Sequence, residues 1–361
     1  MSIIKEELLE IKEKYGEERR TEIIEDFTSL SIEDMIAEEE MVLTITHNGY
    51  IKRTSLSTYR SQRRGGRGVQ GASSREEDFV EHLFVANTHS YILFFTDKGK
   101  CYWVKVYDIP EGGRAAKGRA IVNLIGCEPD EKVSAFISVK EFNEDHYVVM
   151  ATEKGMVKKT KLSAYSNPRK KGIYAVEIRD GDKLIEARVS TGDNDILLGT
   201  RNGKSIRFSE EQIRASGRKT MGVKGITLSS EDDRLVGMLL IKREGTVLVA
   251  TEKGFGKRTE ISQYRAQKRG GKGVLTMKTT DKVGKMVTIK EVVDKDDLMI
   301  ITNQGVLIRL PVAQIRSIGR ATQGVKLIKL GEGTLVSSIT RIMSEEEEDE
   351  NNNTESTETK E

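Results

Sequence analysis

The chain has 361 residues, 59 Lys and Arg against 57 Asp and Glu, a net charge of +2 and only 6% aromatic residues. Two cysteines without a pairing pattern exclude a disulfide scaffold and point to a reducing compartment. No apolar run approaches the length of a membrane span, and Lys5 followed by Glu6 and Glu7 does not read as a signal peptide. From the N-terminus, Ile4, Leu8, Ile11 and Tyr15 fall on one stripe of a helix, and Gly16 ends or kinks it. That stripe has no partner in the sequence, so residues 1–28 read as a helical connector toward a domain outside this chain.

A repeat then takes over. Six turns share the form Thr-x-x-Gly, closing at Gly49, Gly99, Gly155, Gly203, Gly254 and Gly305, spaced by 50, 56, 48, 51 and 51 residues. Before each stands a short apolar run: Met41 to Ile45, Tyr91 to Phe95, Tyr147 to Ala151, Ile196 to Leu198, Val247 to Ala250 and Leu298 to Ile301. These runs suit buried strands, and the glycines supply the positive φ that a short hairpin needs. Ten residues after each turn glycine comes Tyr59, Ile109, Tyr165, Ile213, Tyr264 or Ile315, expected as a packing anchor. Nineteen residues after it comes a second glycine, at Gly68, Gly118, Gly222, Gly273 and Gly324; the third repeat is two residues shorter and puts Gly172 there. A period near fifty with hairpin chemistry predicts an all-β, six-bladed propeller-like ring of four-stranded antiparallel sheets over residues 29–343. Residues 344–361, acidic and without core formers, read as a disordered tail.

The small net charge hides a partition. Residues 1–40 carry −9 and residues 344–361 carry −8, leaving +19 on residues 41–343. A basic body on a β ring implies a polyanion as partner. The cations concentrate in the glycine-rich loops. Gln62-Arg63-Arg64-Gly65-Gly66-Arg67-Gly68 ends the first repeat, and Gln267-Lys268-Arg269-Gly270-Gly271-Lys272-Gly273 ends the fifth. Glycines let the main chain approach a phosphate, while arginine and lysine supply charge. Weaker versions hold Arg114, Lys117 and Arg119; Arg169, Lys170 and Lys171; Arg218 and Lys219; and Arg320. A further cation stands four residues after the turn glycine at Arg53, Lys159, Arg207, Arg258 and Arg309; the second repeat breaks the rule with Trp103. The Gln62–Gly68 loop and Arg53, Lys117, Arg119, Lys159, Arg207, Arg218, Lys219, Arg258, Lys268, Arg269, Lys272, Arg309 and Arg320 are expected to meet nucleic acid, whereas the second and third repeats have poor versions of the loop.

Other motifs carry less. Gly66 to Gly71 fits G-x-G-x-x-G, but it opens no amphipathic helix and sits in no βαβ unit. His47, His82, His89 and His146 are scattered, so no metal site is expected, and no residues group into a catalytic site.

Gln62 to Gly68 matches the GyrA box, and the chain over roughly residues 30–343 resembles the β-pinwheel C-terminal domain family of DNA gyrase A subunits, whose blades exchange strands with their neighbours. The resemblance implies sequence-nonspecific binding, bending and wrapping of duplex DNA around a basic rim. In the full ATP-hydrolysing type IIA topoisomerase this enables negative supercoiling. It further implies that ATP and Mg act elsewhere in the enzyme, so this chain needs no cofactor of its own. The implied partners are the remainder of the gyrase A polypeptide and the gyrase B polypeptide in an A2B2 heterotetramer in the bacterial cytoplasm, with the isolated domain monomeric. The equivalent DNA-binding domain of topoisomerase IV and a protein-binding propeller are the alternatives. Two near-copies of the box leave open which loop closes the ring; chain order and the Gln-Arg-Arg form favour the first.

Overall fold

A computed structural model describes residues 2–17, 32–46, 48–55, 80–113, 116–128, 130–167, 169–242, 245–304 and 307–342. The chain divides into two compact parts, Met1–Ala37 and Glu38–Glu361. The first part holds the helix Ser2–Tyr15 and a single 3-10 turn, Ile32–Met35. On the helix Ile4, Leu8, Ile11 and Tyr15 are exposed. The acidic tail, residues 344–361, and the expected boundary near residue 28 lie outside the described residues.

The second part is the predicted all-β propeller. The fourth repeat serves as the example. Asp195–Thr200 and Lys204–Ser209 form a hairpin, and Leu235–Ile241 pairs on the other side of the first strand. The Thr-x-x-Gly turn has a double purpose. The Gly203 N–H donates to the Thr200 carbonyl at 3.0 Å, and the Lys204 N–H donates to the Thr200 hydroxyl at 3.4 Å. Gly203 has φ +81°, and a Cβ there would lie 2.1 Å from the Met277 carbonyl oxygen, so both backbone and space demand glycine.

The fourth strand of each of the first five sheets is borrowed. Val274–Leu275, directly after Gly273 of the fifth repeat, pairs with Lys204–Ser205 of the fourth. In the same way Arg119–Ala120, Ile173–Tyr174, Val223–Lys224 and Val325–Lys326 join the first, second, third and fifth sheets. Each begins one residue after its second glycine. The sixth sheet has three strands among the described residues; the matching segment of the first repeat, residues 69–70, lies outside them.

The first strand of each sheet has neighbours on both sides and packs on both faces, which is why it reads as an unbroken apolar run. Its side chains alternate between two inter-sheet cores. Ile196 and Leu198 pack with Val149 and Ala151 of the third repeat, whereas Leu197 packs with Val247 and Val249 of the fifth. Each core is therefore shared by two repeats, and a single sheet could not bury its own faces. The anchors Ile109, Tyr165, Ile213, Tyr264 and Ile315 are all buried as expected; Tyr59 lies outside the described residues. One local element has no counterpart among the described residues of the other repeats: a five-residue helix, Ile121–Ile125, which buries Ile121 and Ile125 after the second glycine-rich loop.

The third strands face one another around the ring. Val133–Val139 touches Leu184–Ser190, which touches Leu235–Ile241, then Met286–Val292, then Val336–Ile342, which touches Val80–Asn87 of the first sheet. The ring thus closes from the sixth repeat to the first. The borrowed strands form the opposite, outer edge of each sheet.

Candidate nucleic-acid interface

The glycine-rich loops of the second to sixth repeats run along that outer edge, because each leads into a borrowed strand. They are also joined to one another. Gly270 of the fifth loop donates its N–H to the Gly225 carbonyl at 2.6 Å, and Thr227 donates to the Gly271 carbonyl at 2.9 Å. Glu177 N–H reaches Thr220 of the fourth loop at 3.1 Å, and Lys278 N–H reaches Thr322 of the sixth at 2.9 Å. From the third repeat to the sixth the loops form one hydrogen-bonded band. On it Lys219, Lys268 and Lys272 are exposed, as are Lys117 and Arg119 on the loop of the second repeat. Lys117 rests over the Tyr50 ring, 4.0 Å from its centroid. Gln62, Arg63, Arg64, Gly65, Gly66, Arg67 and Gly68 lie outside the described residues, as does Arg114.

The cations four residues after the turn glycine all have protein partners in the structure. Arg53 donates from Nε to the Ile109 carbonyl at 2.7 Å and pairs with Glu111 at 3.5 Å. Arg258 is buried; it donates to the Ile315 carbonyl at 2.7 Å and pairs with Asp294. Arg207 reaches the Ile261 and Tyr264 carbonyls at 3.3 Å and Asp195 at 2.6 Å. Lys159 is buried against Glu210, 3.4 Å away, and over the Tyr147 ring. Arg309 is exposed but paired with Asp297. Trp103, the exception, explains the set: its Nε1–H donates to the Tyr165 carbonyl at 2.9 Å. At Arg53, Trp103, Arg207 and Arg258 the position supplies an N–H donor to the next repeat's anchor carbonyl, whatever its charge, whereas Lys159 meets Glu210 and the Gly192 carbonyl instead. Arg53, Lys159, Arg207 and Arg258 are struts between sheets, since a phosphate could reach them only by breaking these bonds.

The sequence reading also missed the residue just before. Three residues after the turn glycine stand Lys52, Lys158 and Lys257 in the odd repeats, and Tyr102, Ile206 and Ile308 in the even ones. The lysines are buried. Lys52 donates to the Gly113 carbonyl at 3.1 Å; Lys158 donates to the Ala175 carbonyl at 2.5 Å and to that of Arg218. Lys257 donates to the Gly319 carbonyl at 2.6 Å and to that of Arg320. Each ammonium grips the loop of the following repeat. Burial, with Arg218 or Arg320 nearby, pushes Lys158 down to about 7 and Lys257 down to about 8; burial also lowers Lys52.

The arginine four residues before the second glycine is half-buried at Arg218, Arg269 and Arg320. Arg269 donates to the carbonyls of Gln212 at 3.0 Å and Lys224 at 3.2 Å, and its own N–H meets the Gln212 side chain at 2.9 Å. Arg320 makes the equivalent bond to Leu275 at 3.1 Å. These guanidiniums tie each loop to the borrowed strand of the preceding repeat. Of the Gln267–Gly273 loop, that leaves Lys268 and Lys272 facing solvent. Among the described residues no group of three or more His, Cys, Asp and Glu could hold a metal ion, and no helix is long and apolar enough to cross a membrane.

Comparison with known proteins accords with the six-fold plan. A family model described as DNA gyrase C-terminal domain, beta-propeller, matches residues 40–87, 90–140, 146–191, 194–242, 245–292 and 296–342. The chain is 47% identical over 350 residues to the DNA gyrase A protein of Staphylococcus epidermidis (strain ATCC 12228 / FDA PCI 1200), covering 96% of this chain and 39% of that protein. It is 46% identical over 363 residues to the DNA gyrase A protein of Staphylococcus aureus (strain COL), covering 99% and 41%. The chain therefore spans about two fifths of the length of these curated relatives. A solved C-terminal domain of DNA topoisomerase IV superposes with a TM-score of 0.74 at 27% identity, covering 86% of this chain and 95% of that one. A solved DNA gyrase A C-terminal domain shares the fold with a TM-score of 0.69 at 24% identity, covering 84% and 100%. The chain belongs to the DNA gyrase C-terminal domain family of β-propellers.

Proposed function

We propose that this domain binds duplex DNA without regard to sequence and wraps it along the outer edge of the ring. The observation that carries this reading is the band of loops from the third repeat to the sixth, bonded to one another and carrying Lys219, Lys268 and Lys272 in solvent. Backbone contacts of this kind release counterions and read no bases, so affinity falls steeply with salt. Smoothly bending 20–30 base pairs by 40–90° costs about 1–6 kcal/mol. A row of loops spread over several repeats can offset that, where one cluster cannot. The box-bearing loop of residues 62–68 is part of the proposal, with Gln62, Arg63, Arg64, Gly65, Gly66, Arg67 and Gly68 as DNA contacts.

In the full enzyme, the wrapped segment would be presented to a breakage–reunion core outside this chain. There ATP-dependent negative supercoiling would involve the remainder of the gyrase A polypeptide and the gyrase B polypeptide in the bacterial cytoplasm, with ATP and Mg bound elsewhere. A second reading, the corresponding domain of topoisomerase IV, has one observation in its favour: the 0.74 TM-score to a solved domain of that enzyme. Ligating nicked circles in the presence of the domain separates them. Strong wrapping shifts the topoisomer distribution, and an unshifted distribution at low salt would overturn the gyrase reading.

A further inference from the structure

The fourth, fifth and sixth repeats share a tripeptide around the buried anchor: Gln212-Ile213-Arg214, Gln263-Tyr264-Arg265 and Gln314-Ile315-Arg316, each 51 residues from the next. The matching arginine position is Pro110 in the second repeat and Ser166 in the third. We propose that Arg214, Arg265 and Arg316 form a ladder of phosphate contacts, one per repeat, along the arc from the fourth repeat to the sixth. The proposal rests on the DNA-binding reading and says which side chains perform it.

The backbone sets their direction. Ile213, Tyr264 and Ile315 are extended, with φ/ψ of −106°/106°, −95°/91° and −93°/122°. Each glutamine closes a one-turn 3-10 helix, Glu210–Gln212, Ile261–Gln263 or Val312–Gln314, and the anchor that follows turns inward. The glutamine and the arginine of each tripeptide are accordingly exposed on either side of a buried anchor. The glutamine marks where the outward side lies. Gln212 accepts the N–H of Arg269 at 2.9 Å and donates to the Gln267 carbonyl at 3.2 Å, both in the next glycine-rich loop. The Gln263 Oε1 lies near Gly319 of the sixth loop, 3.9 Å from where a Cβ there would sit. Each arginine thus stands beside the loop of the following repeat, or, for Arg316, in the corresponding place.

What separates these arginines from Arg207, Arg258, Arg269 and Arg320 is that no protein group holds their guanidiniums among the described residues. Arg207 and Arg258 are held by carboxylates and carbonyls, and Arg269 and Arg320 by carbonyls. Arg214, Arg265 and Arg316 are exposed, and no carboxylate or carbonyl holds their side chains among the described residues. A guanidinium fork free of protein partners, repeated along a curved edge beside Lys268 and Lys272, matches a phosphodiester backbone, which presents charge at regular intervals and demands no base contact. It also predicts an uneven path, in which the second and third repeats hold the duplex more weakly.

The test uses the full 361-residue chain and a fluorescent duplex of mixed sequence titrated across a KCl series. The Arg214→Ala, Arg265→Ala, Arg316→Ala triple variant is compared with a charge-matched Lys132→Ala, Lys183→Ala, Lys282→Ala variant. Those three exposed lysines precede the inner strands. With one phosphate per arginine, the log–log salt slope becomes shallower by about 2.7, at about 0.9 per contact, while the unfolding temperature holds. The lysine variant keeps the wild-type slope. A wild-type slope in the arginine variant, or an equal loss in both variants, overturns the ladder and leaves DNA binding standing. A wild-type protein whose affinity ignores salt overturns both.

Discussion

The loops of the fifth and sixth repeats occupy equivalent places and are held by different chemistry. The sixth is gripped from beneath by the buried ammonium of Lys257, which donates to Gly319 and Arg320 carbonyls. Both loops share the guanidinium tie, from Arg269 and Arg320; under the fifth the residue corresponding to Lys257 is Ile206, and the remaining grip passes to the exposed side chain of Gln212. Both loops then deliver the same two-residue strand to the preceding sheet. The lesson is that the ring requires the loop to be anchored and tolerates more than one anchor. A buried ammonium satisfies two carbonyls at once at a cost in desolvation, whereas an amide at the surface satisfies fewer at almost none.

Four expected outcomes bear on that comparison. The largest effect is one the two loops should share. Gly273 has φ +69° and a Cβ there would lie 2.4 Å from the Ser205 carbonyl oxygen; Gly324 has φ +75° and the corresponding distance, to Gly256, is 2.6 Å. Gly273→Ala and Gly324→Ala should each cost about 3 kcal/mol in urea unfolding, combining a positive-φ penalty with overlap. A cost within a few tenths of zero at either site would mean that its loop can move aside.

Next is the lysine grip. Lys257→Ala leaves two part-buried loop carbonyls without their donor and should lower stability by about 2–3 kcal/mol, read by chemical denaturation. If the loss matched that of an ordinary surface substitution, the grip would not be structural.

The third outcome concerns pH. The folded-state pKa of Lys257 is about 8, whereas an unfolded lysine titrates near 10.4. Between those values the unfolded chain holds a proton that the folded chain lacks, so this group's contribution rises with pH through that window. It is lost as pH falls to 8 and is flat below. The wild-type minus Lys257→Met stability difference should therefore grow by roughly 1–2 kcal/mol between pH 8 and pH 10, an order-of-magnitude figure from the shift. Gln212→Ala should keep the wild-type profile, because an amide does not titrate; a pH-independent wild-type difference would sink the assignment.

The smallest effect is that of Gln212→Ala itself, about 1 kcal/mol for exposed hydrogen bonds. Thermal melts that show it costing as much as Lys257→Ala would reverse the ranking of the two anchors.

Much of this was legible in the chain. The apolar runs, the Thr-x-x-Gly turns and the buried anchors follow from local rules, because their periodicity and turn chemistry act within a few residues. The functional cations were legible only in part. Arg53, Arg207 and Arg258 carry the same charge as Arg214 and Arg265, and composition cannot tell a strut from a surface contact. Trp103 held the clue, since an indole in a row of cations points to shared N–H donation. The Gln-x-Arg tripeptide at a 51-residue spacing was another signal, visible once the anchors are aligned.

Sequence alone therefore determined the six-fold repeat, the hairpins, the anchors and the clustering of cations in glycine-rich loops. Tertiary structure alone decided that each loop serves the sheet before its own, and which cations face water. The reason is distance along the chain. Arg258 meets Ile315, and Lys257 meets Gly319, across about a whole repeat, and no local pattern specifies a partner that only ring closure brings within reach.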